Sequence, residues 1–174
     1  MIYKNGKEKF TENDGFTLIE ALMYLALLTL LIGGAGAASY SMIESAGRNQ
    51  MKAMLQEEGD FLVAKINWAL SSVASVEIPA VGLSGTSLSV TKLDGAIGTV
   101  LITLAGSDMT LKRGSNAPQV LNNTNVSVNN LYVTHLYGGG TNPESVQATF
   151  TLSTKTPNGM VLSGDFSATN YLRR

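Results

Sequence analysis

Residues 16–38 form an apolar run in which Glu20 is the only charged side chain, and this run constrains the fold more than any other feature. As a helix rising about 1.5 Å per residue it reaches about 35 Å, enough to cross a hydrocarbon core about 30 Å thick. The run is too long for the apolar core of a cleaved secretory signal, and helix-compatible sequence follows it with no Ala-x-Ala-like cleavage site and turn. Glu20 is the anomaly. An ionised side chain in a spanning segment costs about 2.5 to 3.5 kcal/mol on insertion scales and marks function by default. Near a helix start it can snorkel and be met by the helix dipole. Alternatively, it pairs with an ammonium group, whose attraction in low dielectric offsets much of the desolvation cost.

Residues 1–15 are polar, with Lys4, Lys7 and Lys9 set among Glu8, Glu12 and Asp14. The lysines favour a cytoplasmic amino terminus, because acidic residues contribute little to orientation. The junction Gly15, Phe16, Thr17, Leu18, Ile19, Glu20 resembles the prepilin signature of the type IV filament superfamily, which includes type IV pilins and type II secretion pseudopilins. The resemblance implies that a prepilin peptidase in the membrane cuts between Gly15 and Phe16 and methylates the new amino terminus of Phe16. It implies that Glu20, fifth after the cut, pairs with the amino terminus of a neighbouring subunit during assembly. It also implies the partners: other pilin or pseudopilin subunits, the peptidase, and an inner-membrane assembly platform. The location follows from the same likeness, a single-pass protein of the cytoplasmic membrane that later enters a cell-surface or periplasmic filament. Asp14 departs from the pattern, since many members carry a basic residue before the glycine; this bears on processing efficiency rather than on the site.

Beyond Ala38 no proline occurs until Pro79, and Met51, Met54, Leu55, Leu62, Ile66, Ala69, Leu70 and Val73 recur at steps of three, four and seven, the spacing of one apolar helix face. Arg48, Lys52, Glu57, Asp60 and Lys65 supply the opposite, solvated face. One helix over residues 16–72 is therefore predicted, apolar in its first half and amphipathic in its second. Gly33, Gly34 and Gly36 fall where the apolar half ends, and each glycine costs a helix about 1 kcal/mol relative to alanine. Two uses fit them: a flexible joint, or a small-residue surface for close helix packing. Gly47 and Gly59 are further weak points, and Gly59 suits a close approach of helix to sheet.

From Val76 the texture becomes short Val-, Leu-, Thr- and Ser-rich stretches broken by Gly, Asn and Pro. Strands are predicted over 87–93, 99–104, 109–113, 126–137, 145–154 and 161–172, with turns at Asp94-Gly95, Gly114-Ser115-Asn116 and Pro157-Asn158-Gly159. Val146, Ala148, Phe150 and Leu152 alternate with Gln147, Thr149, Thr151 and Ser153, which describes an antiparallel sheet with one buried face laid against the amphipathic half of the helix. The order of long helix and short strands, the stretch from Val126 to Val133 and the ending Phe166, Ala168, Tyr171, Leu172, Arg173, Arg174 resemble the minor W-like or J-like pseudopilins near a filament tip. The absence of cysteine excludes disulfides, unlike the many major pilins that close a carboxy-terminal loop with one.

The expected class is thus α+β and pilin-like: residues 1–15 a cleaved leader, 16–38 a transmembrane half-helix, 39–72 an amphipathic half-helix, and 73–174 a β-rich head. A net charge of −1 with few charged residues offers no nucleic-acid surface. The single histidine, His135, shares an alternating stretch with Val133 and Tyr137 and reads as a half-exposed strand residue. No cysteine or close carboxylate cluster accompanies it from which to build a triad or a zinc site, so neither catalysis nor a cofactor is expected. Asp94, Asp108, Glu144 and Asp165 lie singly at or near turns, without calcium-loop spacing. Asn122-Asn123-Thr124 and Asn125-Val126-Ser127 fit the short glycosylation pattern. Gly138-Gly139-Gly140 lacks the strand and helix of a phosphate loop. Two functions stand: a filament subunit that works through Glu20, or a signal-anchored monomer whose β-domain is a binding module.

Overall fold

The computed structural model describes residues 16–139, 143–156 and 158–172. Gly15 and the rest of the expected leader therefore lie outside the described residues, as do Gly140 of the glycine triplet, Pro157 of the last predicted turn, and the terminal Arg173 and Arg174. The chain divides into two compact units, Met1–Ser45 and Ala46–Arg174.

One helix, α1, runs from Leu18 to Leu70. Thr17 precedes it, and the Glu20 amide donates to Thr17 Oγ1 at 3.3 Å, satisfying one of the amide groups that every helix start leaves without a partner. The α-helix continues without interruption through Gly33, Gly34, Gly36, Gly47 and Gly59. Its apolar first half has a window of mean hydropathy 2.0 in which no residue is buried. Its second half places Leu55, Gly59, Leu62, Ile66, Ala69 and Leu70 in the core, on the expected face. Met54 packs at the margin, while Lys52, Glu57 and Asp60 are exposed. Val73 departs from the expectation: it opens a strand, because the helix has already ended.

That ending has a physical cause supplied from elsewhere in the chain. No basic residue occupies the last turn of α1. Lys92 reaches it instead, its ammonium donating to Trp68 O at 2.6 Å, to Ser71 O, and to Ser71 Oγ at 3.4 Å. Ser72 follows with φ of 50°, a left-handed turn of the kind that stops helices.

The head contains two antiparallel sheets rather than the single one expected. The strands are β1 (Val73–Ile78), β2 (Ser84–Gly85), β3 (Ser87–Lys92), β4 (Thr99–Ala105), β5 (Asp108–Arg113), β6 (Gln119–Val120), β7 (Ser127–Leu136), β8 (Ser145–Lys155) and β9 (Val161–Tyr171). One sheet has the order β1-β3-β4-β5-β6 and the other β2-β7-β8-β9. Each of the six predicted strands is present with small shifts at its ends. The additional strands, β1, β2 and β6, carry no alternation to read: β1 pairs with β3 through two irregularities, and β2 and β6 are two residues each.

The core draws on the helix and both sheets, joining Leu62 and Ile66 to Leu88, Val90, Val100, Ile102, Met109, Val133, Phe150 and Leu152. Burying each such large aliphatic side chain contributes about 1.5 to 3 kcal/mol. Gly59 allows the helix to close on the second sheet, because a Cβ there would stand 2.0 Å from a ring carbon of Phe166. Phe166 in turn stacks on Phe150 with centroids 5.6 Å apart. The result is an α+β arrangement of pilin-like type, with one long amino-terminal helix and two antiparallel sheets.

Candidate functional site

At the start of α1, Phe16, Thr17, Glu20 and Tyr24 form a local cluster. The helical spacing of four places Tyr24 one turn beyond Glu20 on the same face, and its hydroxyl donates to Glu20 Oε1 at 3.3 Å. The Phe16 and Tyr24 rings meet at 5.8 Å between centroids, tilted by 57°. Glu20 is half-buried by these neighbours, whereas the large apolar residues around it are exposed: Leu18 at 83%, Ile19 at 65%, Met23 at 61%. A carboxylate held in the first turn is favoured by the helix dipole. Thr17 and Glu20 also have the Thr-x-x-Glu spacing of a capping box, a signal present in the sequence that the reading of Glu20 as an anomalous charge overlooked. The cluster brings together Phe16 and Glu20; Gly15, the residue before the expected cut, lies outside the described residues.

Gly33, Gly34 and Gly36 form a separate feature farther along the helix. A Cβ built on any of them meets nothing within 4 Å. In a single chain they therefore support no contact, and the stripe is open to whatever packs there.

In the head the structure corrects the reading of His135. Its ring is fully buried at 0% exposure, not half-exposed. The pairing of β7 with β8 slips between Val128 and Asn130, so the inward face passes from Val126 and Val128 to Leu131, Val133 and His135. His135 is thus a core position. Its Nδ1 lies 2.9 Å from Pro79 O and its Nε2 lies 2.7 Å from Glu144 Oε1. A carbonyl only accepts, so Nδ1 carries a proton and donates to Pro79 O, while Nε2 faces the Glu144 carboxyl group. The backbone completes the attachment, with Gly82 N donating to His135 O at 2.7 Å and His135 N to Leu83 O at 3.0 Å. Glu144, read as a solitary turn carboxylate, is the side chain that ties the approach to β8 to this ring. The pair has no route to solvent through the imidazole, and its geometry fastens the segment between β1 and β2 onto the sheet.

Asn122 also differs from its glycosylation reading. It is 6% exposed; its Oδ1 accepts from Met109 N at 2.7 Å, and its Nδ2 donates to Val126 O at 2.8 Å. An amide engaged in that way is no sugar acceptor. Asn125, in the second such triplet, is exposed. Among the described residues no group of three or more His, Asp or Glu side chains stands close enough to hold a metal. An open groove of about 690 Å³ runs past Met51, Met54, Asn125, Asn129, Lys155 and Val161. Asn129 bonds within it to Ser153 at 2.9 Å.

Comparison with family models, with curated proteins and with solved structures finds no match to the chain. A single long apolar helix near the amino terminus is compatible with a single-pass membrane anchor or a signal sequence.

Proposed function

We propose that this chain is a non-catalytic structural subunit, of minor pilin or pseudopilin type, in a type IV pilus-like or type II secretion filament. A prepilin peptidase cleaves it after Gly15 and methylates Phe16. Before assembly its helix lies in the cytoplasmic membrane with the amino terminus cytoplasmic and the head outside. The assembly platform then transfers it to the filament, where other subunits surround the apolar half-helix.

The observation that carries this reading is Glu20, the lone carboxylate in an otherwise apolar and exposed helix start, five residues beyond Gly15. In the precursor the Phe16 nitrogen is an amide; after cleavage it is an ammonium group able to meet a neighbour's Glu20. A buried pair of this kind is most useful for fixing register. Exposed apolar side chains over several helical turns also require a cover of lipid or protein.

The test is Glu20→Leu in cells that build the filament. The variant is expected to insert, fold and be processed, yet be absent from sheared filaments. Its incorporation at the wild-type level would overturn the role of Glu20 and leave the signal-anchored binding module as the better account.

A further inference from the structure

Sheet edges expose backbone amides and carbonyls without partners, and proteins blunt them with short strands, bulges, proline or charge. Among the described residues, the β1 edge has two irregularities in its pairing, carries Glu77 and runs into Pro79. The β2 and β6 edges are only two residues long. β9 differs from all of these. It is 11 residues long, pairs with β8 in unbroken register from Val161↔Lys155 to Tyr171↔Ser145, and contains neither proline nor lysine. Its one charged side chain, Asp165, already accepts a hydrogen bond from Thr151 Oγ1 of β8 at 2.7 Å.

We propose that the free edge of β9 pairs with β9 of a second copy of this chain, antiparallel and centred on Phe166. A two-fold contact uses the same patch on both partners, so it must be self-complementary. β9 meets that condition over its whole length only with Phe166 at the centre. This register sets Val161 opposite Tyr171, Ser163 opposite Thr169, and Asp165 opposite Ser167. Aliphatic with aromatic and hydroxyl with hydroxyl are favourable cross-strand pairs, and no like charges stand directly opposed. Shifting the centre to Asp165 would oppose two carboxylates. Phe166 stacks on Phe150 yet remains half-buried, and Val161 and Tyr171 are exposed at 58% and 61%; the pairing gives all three a neighbour. The proposal uses only the head and is independent of the filament reading.

A strand edge buries less than the roughly 800 Å² per partner of a standard interface, so the contact is weak in dilute detergent and is best trapped in the membrane. The chain has no cysteine, which makes introduced thiols unambiguous. Opposed residues in antiparallel strands lie about 4.5 to 5.5 Å apart between Cα atoms, within disulfide reach. Ser163→Cys and Thr169→Cys are introduced in the full chain, singly and together, and membranes are oxidised with copper phenanthroline. Disulfide-linked dimer is expected from the double variant and from co-expression of the two differently tagged single variants. Either single variant alone should give none, because like positions are separated by about 20 Å along the strand. Equal dimer from the single variants, no dimer from the mixed pair, or capture of a different protein would overturn the proposal. Amide exchange on the unsubstituted chain gives a second measurement: β9 amides should exchange more slowly as protein concentration rises, and concentration-independent exchange would count against the pairing.

Discussion

Lys92 lies on the core-facing side of β3, in line with Leu88 and Val90, and is only 5% exposed. Alternation alone would place an aliphatic residue there. The cation is retained because helix α1 ends beside it: two helix-terminal carbonyls and a hydroxyl accept from its ammonium, and its Nζ also lies 4.8 Å from the centre of the Trp68 ring. Arg113 approaches the same ring at 4.6 Å. Lys92→Met keeps most of the stem volume but removes the donor to Ser71 O and one of the donors to Trp68 O, which also accepts from Ser71 N and Ser71 Oγ, and should cost about 1 to 3 kcal/mol in denaturant unfolding of the full chain. Burial holds the Lys92 pKa below its ordinary value of 10.5. The folded chain therefore releases this proton at lower pH than the unfolded chain, so stability gained through this group rises with pH between the lowered value and 10.5. Unfolding measured across that alkaline range should show this rise in the wild type, and subtracting the Lys92→Met profile should isolate it. Absence of a difference between the two slopes would contradict the assignment.

The helix shows which sequence signals survive folding and which do not. Its apolar steps from Leu55 to Leu70 were legible because a 3.6-residue period leaves the same face inward whatever the partner is. Glycine was not equally legible, since its role depends on what stands opposite. A Cβ at position 47 meets nothing within 4 Å, whereas at position 59 it overlaps Phe166. Gly47→Ala should therefore stabilise the chain by about 1 kcal/mol through helix propensity. Gly59→Ala gains the same propensity but meets a ring already stacked on Phe150, and overpacking of about 1 to 3 kcal/mol should leave it less stable than wild type. Thermal unfolding of the two variants in one detergent checks the opposite signs; a stabilised Gly59→Ala would mean that Phe166 yields freely. Strands divided in the same manner. β8 alternates without fault and was readable. β7 was readable in extent and in the grouping of His135 with Val133, but the full burial of that ring was not, because the groups that satisfy it, Pro79 O and Glu144, lie on other segments of the chain.

For the whole molecule, the long apolar helix is the feature that composition and periodicity alone could establish, and the proposed filament role adds a prediction about maturation. Mass spectrometry of the chain from cells with an active prepilin peptidase should find a methylated Phe16 as the first residue, and Gly15→Val should preserve the leader. An intact Met1 in the wild type would contradict the proposed processing. The sequence by itself determined the helix, its apolar and amphipathic halves, the positions of Gly15, Phe16 and Glu20, and six of the strands, because periodicity and local motifs require no knowledge of a partner. Only the tertiary structure decided the division into two sheets, the pairing of His135 with Glu144, the capping of α1 by Lys92, and the exposed edge of β9. Those depend on residues distant in sequence meeting across a fold, and the free energy of a buried charge or an open edge is set by what surrounds it in space.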